Sequence, residues 1–343
     1  MLKGDKKAEG YCIRAKMDMT NPVKCLRDPV FFRSKIGVPH HRTGEKYKAY
    51  PTYDFACPIV DSVEGVTHAM RSMEYHDRNA LYDWVLAKLN LRKVTISDYS
   101  RLSMVSTVLS KRALRHFVET GFADGWSDPR FPTIQGIMRR GMTVEAMKQF
   151  MLDQGPSRSN NLMEWEKIWA YNKQVIDIKS PRYRSIADPV KIELLNGPEE
   201  PYFQSVPLHD KNESLGTKPM AFSKTILIEK DDAVPIVKDE KITLMKWGNA
   251  IVKEILEEDG KMVLKAELLL EDQSFKGTKK VTWIADIPEL LVECVLMEYD
   301  HLITKKKIED DDKVEDLTNH NSRLSTAAIG EGTMRNLKVG EHI

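Results

Sequence analysis

The sequence predicts a multidomain chain in three textures, α/β first, then helical, then all-β. Three observations carry that expectation. At 343 residues the chain is long enough for two or three domains. Its 41% hydrophobic and 30% charged residues are those of a folded globular protein and exclude a disordered one. Apolar residues recur at helical spacing over much of residues 61–91 and 113–180, then give way to short alternating runs from residue 185 onward.

Taken in order, residues 11–60 read as short extended segments. "DMTNPVKCLRDPVFFR" is punctuated by Pro22 and Pro29, and "HHRTGEKYKAYPTYDFA" ends in an aromatic strand. From Asp61 the spacing of Val63, Val66, Met70 and Met73 predicts helix, resumed by Leu81, Trp84, Val85 and Leu89. "KVTISDYSRLSM" predicts a strand and a turn. In the helical stretch that follows, Thr143 is the expected N-cap, with Val144, Met147, Phe150 and Met151 forming one apolar face. Beyond "IKSPRYRSIADP", runs such as "AFSKTILIEK", "KITLMKW", "MVLKAELLLE", "KKVTWIAD" and "LLVECVLMEY" are separated by turn residues, the pattern of barrels or sandwiches. The acidic run "EDDDKVED" predicts a solvated loop, and there is no internal repeat.

Charge narrows the partners. The net charge of +1 hides a surplus of eleven positive charges in residues 1–184 and ten negative charges in 185–343. A basic first half is a plausible face for a polyanion such as nucleic acid or nucleotide phosphate. "MLKGDKKAEG" has charges and no apolar core, and no run approaches the roughly 18 apolar residues of a bilayer span, so no membrane partner is expected. Cys12, Cys25, Cys57 and Cys294 are scattered without C-x-x-C spacing, which predicts reduced thiols in a cytoplasmic protein and no protein-bound metal.

"STVLSKRAL" reads two ways. Ser110, Lys111 and Arg112 directly after Val108 and Leu109 make either a solvated turn before a helix or a mobile loop whose ammonium reaches a phosphate. The stretch is not a P-loop, because no glycine-rich segment precedes a Lys-Ser/Thr pair.

Three longer strings decide between these. "HRTGEKYKAYPTYDFACPIVDSVEGVTHAMRSMEYHDR" (41–78), "YSRLSMVSTVLSKRAL" (99–114) and "GWSDPRFPTIQGIMRRGMTVEAMKQF" (125–150) closely resemble the class I glutamyl- and glutaminyl-tRNA synthetases, within them the eukaryotic and archaeal glutamyl type. The resemblance extends to "NNLMEWEKIWAYNK" and, more weakly, into the β region. It implies the C-terminal half of a class I Rossmann-type catalytic domain with the end of an inserted acceptor-binding region (1–115), a helical stem-contact subdomain (116–183) and anticodon-binding β-barrels (184–343). The implied activity is ATP-dependent activation of L-glutamate and its transfer to tRNA(Glu), with Mg2+ only as the counter-ion of ATP. Other synthetases or an adaptor protein are further implied partners.

Residue roles follow from the same likeness. "VLSKR" stands where the family carries its second signature loop, so Val108, Leu109, Ser110, Lys111 and Arg112 are expected at ATP. Lys111 is the catalytic cation for charge that builds on the phosphates in the transition state. Glu74, Arg101 and Leu102 match positions near adenine and ribose; Glu74 alternatively pairs with Arg71 as a surface neighbour. Tyr53, Asp54, Phe55, Ala56 and Cys57 match the amino-acid pocket at a strand end, with Phe55 better read as core. Arg71, where glutaminyl enzymes resemble one another in having a small uncharged residue, is the expected fork for the substrate's side-chain carboxylate. Ile96 agrees, since glutaminyl enzymes place a glutamine there.

Asp77 matches a residue that reads the acceptor stem, or is a helix-surface carboxylate beside Arg78. Arg130, Arg139 and Arg140 suit phosphate contacts. Ser103 and Ala113 depart from the family pattern. No HIGH-type motif precedes "YPTYDFA", so the resemblance implies an interior portion of a synthetase, inactive alone. A non-catalytic tRNA- or protein-binding portion stays open, and a glutaminyl enzyme is disfavoured by Arg71 and Ile96.

Overall fold

Short strands broken by prolines open the chain, as their sequence dictates. In the computed structural model, which describes residues 1–309 and 311–343, β1 (Cys12–Arg14), β2 (Val30–Ser34) and β3 (Ala49–Pro51) form an antiparallel sheet in that order. Asp310, in the acidic run, lies outside the described residues. The chain divides into two compact units, residues 1–103 with 154–163, and residues 104–153 with 164–343.

In the first unit, helix α1 (Tyr53–Val63) starts directly after β3, with Thr52 in extended conformation as its N-cap residue. The aromatic segment expected as strand is therefore helix from Tyr53 onward. Strand β4 (His68–Ser72) follows, then a 3-10 segment (Met73–Arg78), α2 (Asn79–Lys88) and β5 (Thr95–Tyr99). The continuous helix expected from Asp61 is thus interrupted by a strand. Alternation in β4, where Ala69 and Arg71 are buried and Met70 is exposed, mimics helical spacing over so short a run. β4 and β5 pair in parallel with α2 in the crossover between them, as parallel pairing requires. Ala69, Tyr82, Leu86 and Val94 close one face of this pair, with Cys57, Val66, Leu91 and Ile96 against them.

Strands β6 (Leu102–Met104) and β7 (Asn161–Met163) are short. The helices of the second unit are α3 (Lys111–Glu119), α4 (Ile134–Arg139), α5 (Val144–Gln154) and α6 (Trp165–Ile176). Thr143 caps α5 as its sequence predicts: its Oγ1 accepts from the Ala146 N–H at 3.2 Å. The buried face of α5 is Ala146 and Phe150, however, and Val144 and Met151 are exposed. Val108, Leu114, Phe117 and Phe131 form a core with Leu302 and Ile303.

The β region contains β8 (Ser185–Ala187), β9 (Pro189–Leu194), β10 (Tyr202–Pro207), β11 (Thr217–Phe222) and β12 (Thr225–Glu229). After a short helix α7 (Lys230–Ala233) come β13 (Lys241–Leu244), β14 (Gly248–Glu258), β15 (Lys261–Leu269), β16 (Lys279–Val281) and β17 (Trp283–Ala285). β18 (Leu291–Tyr299) and β19 (Arg323–Glu331) complete it. A seven-stranded mixed sheet runs β16-β13-β14-β15-β9-β12-β17. Its two edge strands are consecutive in sequence, separated only by Thr282. The sheet must therefore curl until its edges approach, giving a nearly closed barrel around Ile192, Phe222, Ile226, Ile242, Leu264 and Trp283. β18, β19 and β8 form an open three-stranded sheet. One nearly closed barrel-like sheet is formed among the described residues.

Candidate functional site

Arg71 is a buried cation of the first unit. Its position on β4, rather than on the expected amphipathic helix, points it inward, and it is only 7% exposed. Three tyrosine rings surround its guanidinium, with centroids at 5.7 Å (Tyr53), 5.2 Å (Tyr75) and 5.3 Å (Tyr82). Aromatic faces stabilise a cation without neutralising it. No carboxylate lies within ion-pair distance of Arg71 among the described residues, and its buried Nε has no hydrogen-bond partner. A buried guanidinium left so is costly unless an anion completes it.

The tyrosine hydroxyls and the thiol around it are neutral. The Cys57 hydrogen bond, with burial second, pushes the Tyr53 hydroxyl up to about 12. Burial, then the hydrogen bond to Asp61 at 2.7 Å, raises Tyr82 further. Burial also raises the Cys57 thiol. At neutral pH these three side chains are uncharged, and they offer no anion that competes for Arg71.

The expected pocket residues divide. Tyr53, Asp54, Phe55, Ala56 and Cys57 occupy the first turns of α1, not a strand end. Tyr53 and Cys57 face Arg71's surroundings. Phe55, half-buried, stacks on Phe31 at 4.2 Å. Asp54 is engaged by Arg78 at 2.7 Å. A cleft of about 840 Å³ is lined by Tyr53, Asp54, Asp77 and Arg78 together with Lys24, Arg27 and Arg33. Asp77 is exposed on the 3-10 segment, next to Arg78, so its surface alternative stays open beside the acceptor-stem role. Sequence reasoning did not single out Lys24, Arg27 and Arg33; the charge surplus of the first half was the only signal for them.

Glu74 pairs with Arg101 at 3.1 Å, and not with Arg71 as its surface alternative required. Both side chains are exposed, and Leu102 is half-buried beside Arg101.

In the second unit, the signature stretch is anchored and then released. Val108 is buried at 1% exposure, Leu109 is exposed, and Ser110 is the N-cap of α3, its Oγ accepting from Ala113 N–H at 3.5 Å. Lys111 and Arg112 are thus the first two residues of the helix, both exposed, with no acidic residue in the first turn. Neither side chain makes a hydrogen bond or ion pair among the described residues. Two unpaired cations beside the positive end of a helix repel one another and the dipole, an arrangement that an approaching phosphate relieves.

The three arginines expected at tRNA behave differently. Arg130 is held internally: its side chain is 3% exposed and forms a two-pronged pair with Asp128, Nε to Oδ1 at 2.9 Å and Nη2 to Oδ2 at 2.8 Å. It also donates to Ser322 Oγ and Phe122 O, so four of its five N–H groups are engaged and no open fork is left for a two-pronged phosphate contact. Arg139 is exposed but 3.8 Å from Asp124, which Arg323 shares. Arg140 lies over the Trp169 ring at 5.3 Å, and burial pushes its guanidinium down.

Residues 1–178 match the family described as tRNA synthetases class I (E and Q), catalytic domain, and residues 180–270 match its anti-codon binding domain. The whole chain is 50% identical to the cytoplasmic glutamate–tRNA ligase of Arabidopsis thaliana and 47% identical to that of Saccharomyces cerevisiae, covering 48% of each. It is 46% identical to the bifunctional glutamate/proline–tRNA ligase of Mus musculus, of which it covers 23%. The chain spans about half the length of the two single-function relatives. With its catalytic-domain match over more than half its length, the chain belongs to the class I tRNA synthetases of the E and Q type.

Proposed function

We propose that this chain serves a cytoplasmic glutamate–tRNA ligase, contributing the glutamate-side recognition, the second signature loop and part of the anticodon-binding region. The observation that carries the reading is Arg71: buried, caged by tyrosines and without a carboxylate of its own. Its planar fork matches a side-chain carboxylate, and a glutamine amide would leave its charge uncompensated. Ile96, half-buried on the neighbouring strand, supplies no amide-reading group.

In this reading, Tyr53, Asp54, Phe55, Ala56 and Cys57 border the glutamate pocket, with Phe55 and Asp54 supporting it through Phe31 and Arg78. Glu74, Arg101 and Leu102 meet the adenosine of ATP. Val108, Leu109 and Ser110 set the start of α3, so that Lys111 and Arg112 face the phosphates. Lys111 stabilises charge that appears only as pyrophosphate leaves. Mg2+ accompanies ATP. Asp77, Arg139 and Arg140 are assigned to tRNA(Glu), and the barrel-like sheet to its anticodon arm. The three-part division at residues 115 and 183 describes these roles. Relatives fused to a prolyl enzyme suggest physical coupling to another synthetase.

The test is Arg71→Cys in the full-length protein. Glutamate KM should rise by about two orders of magnitude or more, since losing a charge-assisted contact in a closed site costs roughly 3 kcal/mol. ATP KM should stay within about twofold of the parent, the size of an indirect effect worth a few tenths of a kcal/mol. An unchanged glutamate KM would remove the glutamyl reading.

A further inference from the structure

Arg71 and Asp98 face each other directly across the parallel strands β4 and β5, as partners in register. Both are buried, with Asp98 side-chain exposure at 5%. Opposite charges so placed would ordinarily close into an ion pair, yet none is formed among the described residues. What stands between them is Asn79, the first residue of α2. Its Oδ1 accepts from Arg71 Nη1 at 3.5 Å, and its Nδ2 donates to Asp98 Oδ2 at 3.1 Å and Oδ1 at 3.3 Å. The far side of Asp98 is occupied by His76, 2.7 Å from Nδ1 to Oδ2. Burial would raise the Asp98 carboxyl, but the hydrogen bonds from His76 and Asn79 outweigh it and hold it below its ordinary value. It is therefore a standing anion beside the cation that the substrate needs.

We propose that Asn79 is a positioning residue for glutamate specificity: it holds the Asp98 carboxylate off Arg71, so that the guanidinium stays open to the substrate's side-chain carboxylate. This rests on the assignment of Arg71 to the substrate. The amide suits the task because it presents an acceptor to the cation and donors to the anion, satisfying both without a net charge. Removing it allows a short side-chain movement to bring Asp98 onto Arg71. The substrate must then displace an internal carboxylate, and its apparent affinity falls by the fraction of molecules in the closed state.

The experiment is a double-mutant cycle in the full-length protein, reading KM for glutamate, KM for ATP and kcat of aminoacylation. Asn79→Ala should raise glutamate KM about tenfold or more, with ATP KM and kcat changed much less. In the Asp98→Asn background the same substitution should raise glutamate KM less than about twofold, because the competing anion is gone. Equal factors in the two backgrounds would show that Asn79 merely supports the fold, and would overturn the proposal. Asn79→Asp keeps the shape and places a carboxylate against Arg71. It should raise glutamate KM at least as much as Asn79→Ala, and parental glutamate binding by this variant would also overturn the proposal. Arg71→Cys, run alongside, separates the two readings: if it leaves glutamate KM unchanged, the substrate assignment of Arg71 has failed and not the spacing argument alone.

Discussion

Replacing Arg130 by methionine sets a sequence expectation against the structure. As a phosphate contact, Arg130 would be dispensable for folding. As placed, it fills Asp128, whose residue is 1% exposed, with two charge-assisted hydrogen bonds, and ties it to Ser322 Oγ at 3.1 Å. Methionine retains the apolar volume over the Phe122 ring but leaves the carboxylate buried and unpaired. Breaking one partner of a buried pair costs about 3–5 kcal/mol. At roughly 2–4 °C per kcal/mol for a unit of this size, thermal unfolding should fall by on the order of 10 °C. Burial raises the Asp128 carboxyl, but the bonds from Arg130 outweigh this and hold it below its usual value. A depressed carboxyl contributes stability above its unfolded pKa and loses it as pH falls through the folded one. The gap between parent and variant should therefore persist at neutral pH and shrink below about pH 4. Circular dichroism melts measure the stability, and tRNA affinity against salt measures any phosphate contact. A melting point within about 2 °C of the parent, together with a salt slope reduced by about one, would restore the phosphate role and refute the structural one.

Two further outcomes follow from local geometry. Lys111→Ala in the full-length protein should lower kcat for glutamate activation by about 10²–10³, with small changes in substrate KM, because its charge acts in the transition state; pre-steady-state adenylate formation near the parental rate would return Lys111 to a solvated turn. Gly136→Ala should destabilise the second unit by about 1–3 kcal/mol, since the added Cβ would meet Asp128 O at 2.5 Å and Phe131 O at 2.7 Å, and denaturant midpoints at the parental value would show that α4 can shift aside.

What the sequence revealed and what it hid divide along contact range. The β region was legible because alternation is a local signal, and every alternating run quoted from it contains a strand. Thr143 was legible because a cap is decided within three residues. The start of α1 was not, because aromatic residues favour strands and Pro58 inside the helix argues against it. Closure of the seven-stranded sheet depends on β9 pairing with β15 and β12, a matter of topology that no window contains. For the site, a likeness to a family singled out Arg71, Lys111 and Arg130 alike, and nothing local in the sequence separates the buried, paired Arg130 from the two that make no ion pair among the described residues. Asp128 lies two residues away in sequence, but the burial that locks the pair depends on Ser322 and the core formed with Leu302 and Ile303.

The cations of this chain can be sorted by one physical question, whether the fold itself completes them. Arg130 is completed by Asp128, Arg78 by Asp54 and Lys218 by Glu331, and for each of these the charge serves a fixed local arrangement. Arg71 and Lys111 are not completed, for opposite reasons of environment. Arg71 is buried, so in the proposed reading its partner is an anion that enters and loses its own water, which favours discrimination between a carboxylate and an amide. Lys111 is exposed at a helix N-terminus, so water already satisfies its ammonium in the resting state and little affinity is gained from a ground-state phosphate. Its contribution grows only when negative charge increases nearby and solvent is displaced. On the proposed assignments Arg71 serves binding and Lys111 serves rate, and the variants are expected to separate, with glutamate KM moving for Arg71 and kcat moving for Lys111.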